Sequence, residues 1–198
     1  LILGDAILGQ MKEPVQLKQF NWEKQKTDFS LTGAAGRSPR LVKSLYLEDK
    51  EMEKHNRHLE SKYNKMKEDT LIDMDLPDDA ELLVVAFGSC ARLVRTALDW
   101  AKKEGYPVGW FRPISLFPFP SKELMEATKK VPRVLVVEMN TGQMVKDVKL
   151  SVAAGTEVYL LPFPGGALPV PSLVLPKIKS ILKGMVCGAK GVFSPQLS

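Results

Sequence analysis

Two segments of the sequence carry residue types that bind anions. Gly88 and Ser89, in AFGSCARL, lie between an apolar run and a helical pattern, and Arg112 ends the run GWFR. Backbone amides at a helix N-terminus hold phosphate groups, and arginine pairs with phosphate or carboxylate. The Gly–Ser pair is neither a GxGxxG fingerprint nor a P-loop, which needs Lys followed by Ser or Thr. A turn at Gly88 and a helix cap at Ser89 are therefore the favoured interpretation.

A third segment, VLVVEMNTGQ, runs from four apolar residues into a polar cluster. Asn140 or Thr141 is suited to cap the helix that follows, and Gly142 lets the backbone turn. Glu138 is an unusual choice for a turn alone, so we expect Glu138 and Asn140 to organise neighbouring loops, including the loop of Arg112. Arg112 is expected either to pair with a carboxylate such as Glu138 or to bind an anion. The candidate site residues are thus Gly88, Ser89, Arg112, Glu138, Asn140, Gly142 and Gln143.

The candidate residues require a fold that brings the ends of several strands together. Apolar runs begin at residues 82, 107, 134 and 158, and helical patterns separate them. This alternation is typical of a parallel sheet, and the near-continuous apolar runs indicate that helices cover both of its faces. We predict an α/β domain over residues 78–184 with at least four parallel strands. The loops after those strands share the edge where ligands bind.

The other segments are assigned by composition. Residues 1–20 hold a short apolar strand at Leu1–Leu3, residues 21–77 hold a linker and a charged helix, and residues 185–198 form a tail. The charged helix is predicted over residues 46–69. Its apolar side chains lie along one edge of the helix, and packing of this edge on a neighbouring segment is favoured over packing on a partner chain. The acidic stretch DMDLPDDAE is interpreted as the lead-in to the α/β domain. We expect the chain to be the C-terminal portion of a longer protein.

Composition and charge exclude several classes of function. The chain has 198 residues, 44% of them hydrophobic, and a formal net charge of +5 from 28 basic and 23 acidic side chains. The charges form no basic stripe with interleaved aromatic residues, so no nucleic acid is expected as a partner. The apolar runs fall short of the roughly 20 residues that span a bilayer, so no membrane contact is expected.

The two cysteines, Cys90 and Cys187, are too few for an iron–sulfur cluster, which needs about four thiolates. They fit a reduced, cytoplasmic protein, and Cys90 is expected to be a buried structural cysteine. No residue set indicates a catalytic or a metal site. The loops FRPISLFPFPS and PFPGGALPVP are rich in proline and apolar residues, and they suit docking to another protein better than binding a small molecule.

The order of these motifs resembles the α subunit of the 2-oxoacid:ferredoxin oxidoreductases of the 2-oxoglutarate or pyruvate synthase type. The segments that carry the resemblance are LILGDAILGQMKEPV, VVAFGSCARLVRTAL, GYPVGWFRPISLFPFP, VVEMNTGQMVKDV and LPFPGGALPVP. The resemblance implies that residues 1–20 end a domain that binds the thiamine pyrimidine ring. It also implies that residues 78–184 are similar to the transketolase C-terminal domain.

The resemblance implies an activity for the whole enzyme. Such enzymes oxidatively decarboxylate a 2-oxoacid on thiamine diphosphate, pass electrons through iron–sulfur clusters to ferredoxin and form an acyl-coenzyme A. The cofactor-activating glutamate is expected upstream of this chain, and the pyrophosphate site and the clusters on partner subunits. This chain is then expected to bind none of the cofactors alone and to serve the structure and assembly of an oligomer. The alternative is a free-standing nucleotide- or anion-binding α/β protein that uses the Gly88–Ser89 turn and Arg112.

Overall fold

The computed structural model describes residues 2–10, 12, 14, 16–17, 19, 29–165, 167 and 169–184. The chain divides into two units, Leu1–Lys62 and Tyr63–Ser198. In the first unit a 3-10 turn spans Ala6–Gln10. The strand predicted at Leu1–Leu3 is wrong for the described residues Ile2 and Leu3, which have no regular structure. Leu1 and the tail at 185–198 lie outside the described residues.

Helix α1 spans Glu51–Met66, and a 3-10 turn over Lys67–Asp69 follows it. Acidic residues in its first turn and Lys65 in its last turn complement the helix dipole. Arg57 forms an ion pair with Glu53 one turn away, at 2.8 Å between Nη2 and Oε1. The predicted charged helix is confirmed, and it is shorter at both ends than the pattern of residues 46–69.

Five strands form one sheet in the order β1-β3-β2-β4-β5. Their bounds are β1 Ile72–Asp75, β2 Leu82–Val85, β3 Val108–Pro113, β4 Arg133–Glu138 and β5 Glu157–Pro162. Strands β2 to β5 are parallel to their neighbours, and β1 is antiparallel to β3. The predicted α/β class and the four parallel strands are confirmed.

Strand β1 differs from the sequence-based prediction, which treats its acidic residues as a lead-in. In the register of this strand pair, Ile72 lies opposite Pro113 and Asp73 lies opposite Arg112. The charged side chains suit an edge strand, because one side of the strand has no neighbour to pair with. Asp73 and Asp75 form ion pairs with Arg95 and Lys102 at 3.3 and 2.6 Å.

The described part of the α/β domain has four helices, with the bounds α2 Gly88–Lys103, α3 Ser121–Thr128, α4 Met144–Ser151 and α5 Pro171–Leu182. Successive strand residues point to opposite faces, so each strand contributes to two cores. Leu82 and Val84 pack with residues of α2 and α5 on one face. Leu83 and Val85 pack with residues of α3 and α4 on the other face. The helices therefore cover both faces, as predicted.

This arrangement brings the carboxyl ends of β2, β3, β4 and β5 to one edge of the sheet. Helices α2 and α4 begin at that edge, each a few residues after the strand that precedes it. None of the helices in the described residues is both long and apolar enough to cross a membrane.

Candidate functional site

The structure places the candidate residues at the carboxyl edge of the parallel strands. Glu138 ends β4, Arg112 is the penultimate residue of β3, and Gly88 and Ser89 begin α2. The segment from residue 139 to residue 143 connects β4 to α4. The edge predicted from the strand pattern is therefore the place where these residues lie.

Glu138 is buried with 0% exposure, and its carboxylate caps helix α4. Its Oε2 accepts hydrogen bonds from the backbone N–H groups of Gln143 at 3.1 Å and Met144 at 2.8 Å. Its Oε1 accepts from the N–H of Val145 at 3.1 Å. A helix N-terminus leaves its first N–H groups without partners inside the helix, and its dipole favours negative charge there. Glu138 supplies both the missing acceptors and the charge.

Asn140 completes the junction between β4 and α4. Its Oδ1 accepts from the N–H of Gly142 at 2.7 Å and of Gln143 at 2.9 Å, which is an Asx-turn. Gln143 is the N-cap residue of α4, so the cap predicted for Asn140 or Thr141 is wrong: Asn140 closes the turn before the helix, and Glu138 accepts from the first helical N–H groups. The sequence-based prediction misses Glu138 as a cap because its carboxylate reaches the helix from the end of a strand, outside the usual local pattern.

Gly142 has a backbone φ of 114°, in the region that favours glycine. A Cβ at this position would lie 3.2 Å from Leu160 Cδ2 and 3.3 Å from Val145 Cγ1. The conformation therefore favours glycine, and an added Cβ would also require Leu160 and Val145 to shift by a few tenths of an ångström. The polar cluster of VLVVEMNTGQ is a turn whose polar atoms largely satisfy one another.

Arg112 and Glu138 do not pair, and that prediction is wrong. Strand β2 lies between β3 and β4, so the strands that carry the two residues are not neighbours. Neighbouring strands are about 4.8 Å apart, which separates the two strand ends by roughly 10 Å. Adjacency in the chain does not give adjacency in the sheet, since the connection from β3 to β4 passes over β2.

Arg112 has no hydrogen-bond or ion-pair partner among the described residues, and its Nε is buried. Asp73 lies opposite Arg112 in the strand register. However, Asp73 Oδ2 accepts from Arg95 Nη1 and Trp110 Nε1, both at 3.3 Å. Asp73 therefore does not pair with the guanidinium of Arg112.

Ser89 does not cap helix α2, contrary to the prediction. The helix begins at Gly88, with Phe87 as the N-cap, so Ser89 lies inside the first turn. Its Oγ is buried and has no hydrogen-bond partner among the residues that the structure describes. Gly88 has a φ of 56° and open space around it. Ser89 and Arg112 therefore leave unpartnered polar atoms near the ends of the adjacent strands β2 and β3.

Cys90 is buried, as predicted, with 3% exposure. Its Sγ donates a hydrogen bond to the carbonyl oxygen of Val137 at 3.2 Å. Burial, and then the negative charge of Glu138, raise the pKa of the Cys90 thiol to about 12. A thiol that stays protonated at neutral pH is a poor nucleophile, so the site offers no activated cysteine here.

The described residues contain no group of three or more His, Cys, Asp and Glu side chains that is arranged to hold a metal ion. Among the described residues, the site consists of the turn capped by Glu138, a serine without a partner after the adjacent strand β2, and an arginine without a partner on β3, two strands away.

Residues 80–173 match a family model described as pyruvate:ferredoxin oxidoreductase core domain II. Core domain II of the pyruvate:ferredoxin oxidoreductases is therefore present in this chain over residues 80–173. All the candidate residues lie inside core domain II, and four of the five segments that carry the resemblance fall within the matched range, whereas LILGDAILGQMKEPV lies before it.

Two relatives show how far the similarity extends. The chain is 36% identical over 183 residues to ketoisovalerate oxidoreductase subunit VorB of Methanothermobacter thermautotrophicus. This alignment covers 91% of this chain and 52% of VorB. It is 40% identical over 101 residues to 2-oxoglutarate synthase subunit KorA of Methanothermobacter marburgensis, covering 51% of this chain and 27% of KorA. The chain therefore spans about half the length of VorB and less of KorA.

A solved structure supports the fold. It is a 2-oxoglutarate:ferredoxin oxidoreductase from Magnetococcus marinus with 2-oxoglutarate, coenzyme A and succinyl-CoA bound. It aligns with a TM-score of 0.58 and 19% identity over 69% of this chain and 24% of the other. At this identity the match shows that core domain II shares the fold, and nothing more.

Proposed function

We propose that this chain is part of the α subunit of a thiamine diphosphate-dependent 2-oxoacid:ferredoxin oxidoreductase, where it serves structure and subunit assembly. The observation that carries the proposal is the match of residues 80–173 to core domain II. The assembled enzyme oxidatively decarboxylates a 2-oxoacid, reduces ferredoxin and forms an acyl-coenzyme A.

The geometry at Glu138 supports a structural role for this chain. Its two carboxylate oxygens accept three backbone hydrogen bonds, and the side chain is fully buried. A carboxylate held in this way does not fit the role of a group that activates thiamine diphosphate. The proposal therefore assigns thiamine diphosphate and coenzyme A to the assembled enzyme.

The cysteines do not fit an iron–sulfur cluster. The chain has two cysteines, whereas a cluster needs about four thiolates. Cys90 is buried and bonded to a backbone carbonyl, and its pKa of about 12 keeps the thiol protonated. The proposal therefore assigns the clusters, and the transfer of electrons to ferredoxin, to partner subunits.

The relatives favour a branched-chain substrate for the first assay. The similarity to the ketoisovalerate oxidoreductase subunit extends over 91% of this chain, against 51% for the 2-oxoglutarate synthase subunit. We therefore take ketoisovalerate as the expected 2-oxoacid, with 2-oxoglutarate and pyruvate as comparisons.

The test is reconstitution of the enzyme. The full-length protein that contains this chain is tagged and co-expressed with the subunits encoded beside it, and ferredoxin reduction is measured with each 2-oxoacid. We expect reduction to depend on coenzyme A and to be fastest with ketoisovalerate. Control reactions omit coenzyme A or thiamine diphosphate. A tagged chain that purifies without other subunits, or a complex without 2-oxoacid-dependent reduction, contradicts the proposal.

A second candidate is an anion-binding protein that uses the Gly88–Ser89 turn and Arg112. The observation in its favour is that Ser89 Oγ and Arg112 Nε are buried without partners. Calorimetric titration of the chain with ADP and with acetyl phosphate tests it. Saturable binding that is lost in both Ser89→Ala and Arg112→Ala favours this candidate over the assembly role.

A further inference from the structure

An exposed apolar surface lies next to Arg112. We call it the β3-loop surface, and its members are Tyr63, Leu71, Ile114, Leu116 and Phe117, which are 43%, 59%, 50%, 45% and 69% exposed. Single exposed apolar residues are common on protein surfaces, whereas a cluster of large ones marks an interaction site more often.

Hydrogen bonds and a ring contact hold the members of this surface together. The N–H groups of Ile114 and Ser115 donate to the carbonyl oxygen of Leu71 at 2.9 and 3.1 Å. The N–H of Leu71 in turn donates to Ser115 Oγ at 3.0 Å. The rings of Tyr63 and Phe117 meet edge to face, with their centroids 5.7 Å apart. The loop after β3 and the segment before β1 thus form one ordered surface.

Proline residues restrict the backbone of this loop further. Pro113 precedes Ile114, and Pro118 and Pro120 follow Phe117. Proline fixes φ, so the loop loses little conformational freedom when it binds another surface. A surface that is ordered before binding is suited to a stable contact.

Arg112 favours a negatively charged group on the protein that binds this surface. It lies two residues before Ile114, at the base of the loop. The two acidic residues of the neighbouring strand β1 are already paired, Asp73 with Arg95 and Asp75 with Lys102. Arg112 has no partner in the described part of the chain, and its Nε is buried. A buried donor without an acceptor is costly, so a carboxylate from outside would be strongly favoured here.

We propose that the β3-loop surface and Arg112 form a docking site for another subunit of the oxidoreductase. The subunit presents apolar side chains around an Asp or Glu. The apolar side chains cover the exposed members, and the carboxylate accepts hydrogen bonds from Arg112, whose planar guanidinium matches a carboxylate. The apolar rim excludes water from this ion pair, which is the arrangement of energetically important contacts in protein interfaces. The inference rests on the proposed function, because it requires a complex of several subunits.

The test measures assembly of the co-expressed complex. The variants are Phe117→Asp, Leu116→Asp and Arg112→Gln in the tagged full-length protein, and the dissociation constant for the partner subunit is measured after purification. Each is expected to weaken the contact by at least about tenfold, since interface anchors carry most of the binding energy. Leu150→Asp, at a position 83% exposed on α4, and Lys103→Gln are the matched controls and should assemble like the wild type.

Thermal unfolding of each variant separates loss of docking from loss of folding. Phe117 and Leu116 are exposed, so their variants are expected to keep the wild-type midpoint. If Arg112→Gln lowers the midpoint, the two loop variants alone test the proposal.

The possible outcomes are distinct. A wild-type complex that all three variants form equally well overturns the docking site and leaves the proposed function intact. A wild-type chain that binds no other subunit overturns both. Saturable binding of ADP or inorganic pyrophosphate that requires Arg112, with assembly unchanged in Arg112→Gln, assigns Arg112 to a small anion and also overturns the docking site.

Discussion

At the scale of single residues, the buried Glu138 shows how a polar signature can be structural. A carboxylate removed from water is costly unless hydrogen bonds replace its hydration. Three backbone N–H groups at the start of α4 provide them. The residue that most resembles a catalytic carboxylate in the sequence therefore stabilises a junction between a strand and a helix.

Replacing Glu138 with glutamine should lower the free energy of unfolding by about 2 kcal/mol, because the amide nitrogen cannot accept a hydrogen bond and leaves a buried N–H without a partner. Urea denaturation followed by tryptophan fluorescence measures the change. Glu126→Gln is the matched control, because Glu126 forms an exposed ion pair with Lys129 that contributes at most about 1 kcal/mol. Equal losses in the two variants would contradict the buried cap.

We expect the protein to lose stability at alkaline pH because of Cys90. Its pKa rises from the ordinary value of 9.0 to about 12 on folding. Above pH 9 the unfolded chain therefore binds fewer protons than the folded chain, and the stability from this group decreases as pH rises toward 12. The slope approaches about 1.4 kcal/mol per pH unit.

This slope is measured as a difference between two proteins. Denaturation curves are compared for Cys187→Ser and for Cys90→Ala combined with Cys187→Ser, between about pH 8 and about pH 10.5. Other titrating groups cancel in the difference. The difference in the free energy of unfolding between the two proteins should decrease above pH 9. A difference that does not change with pH would show that the thiol titrates at its ordinary pKa.

At the scale of elements, the connection between β4 and α4 depends on a sharp turn. Asn140 fixes the turn through two hydrogen bonds, and Gly142 supplies a backbone conformation that other residues rarely adopt. The turn brings the N–H groups of α4 within reach of Glu138. Strand, turn and helix thus act as one unit.

Gly142→Ala should destabilise this unit by about 2–4 kcal/mol, since it combines an unfavourable φ with crowding against Leu160 and Val145. Thermal or urea unfolding measures the loss. Gly155→Ala is the control, because Gly155 also has a positive φ, of 87°, but nothing lies within 4 Å of an added Cβ. A loss no greater than that of the control would show that the space around Gly142 is not limiting.

At the scale of the whole molecule, the described part of the chain combines an α/β domain with an exposed apolar surface next to Arg112. The α/β domain buries both faces of its sheet under helices α2 to α5. The β3-loop surface and Arg112 remain available at its edge.

In the assembled enzyme, Glu138→Gln should reduce the yield of complex more than the turnover of the complex that forms. The cap stabilises the domain edge without touching the reacting atoms, so turnover per complex should stay within about twofold of wild type. Gel filtration with light scattering measures the yield, and ferredoxin reduction measures turnover. A normal yield with collapsed turnover would place Glu138 in the chemistry.

The sequence by itself determined the local features of this protein. The regular apolar runs predict the four parallel strands and the helices between them, because periodicity and burial are encoded over short stretches. The same pattern places the candidate residues at one edge of the sheet. It does not find β1, because four residues with two carboxylates carry too weak a strand signal.

Only the tertiary structure decided which of those residues meet. The path of the chain puts β2 between β3 and β4, so Arg112 and Glu138 are separated although their strands are consecutive in sequence. The start of α2 at Gly88 leaves Ser89 without the role of a cap. Strand order and helix starts depend on contacts between distant parts of the chain. For that reason the sequence determined the edge, while the fold determined that Glu138 caps α4 and that Arg112 has no partner among the described residues.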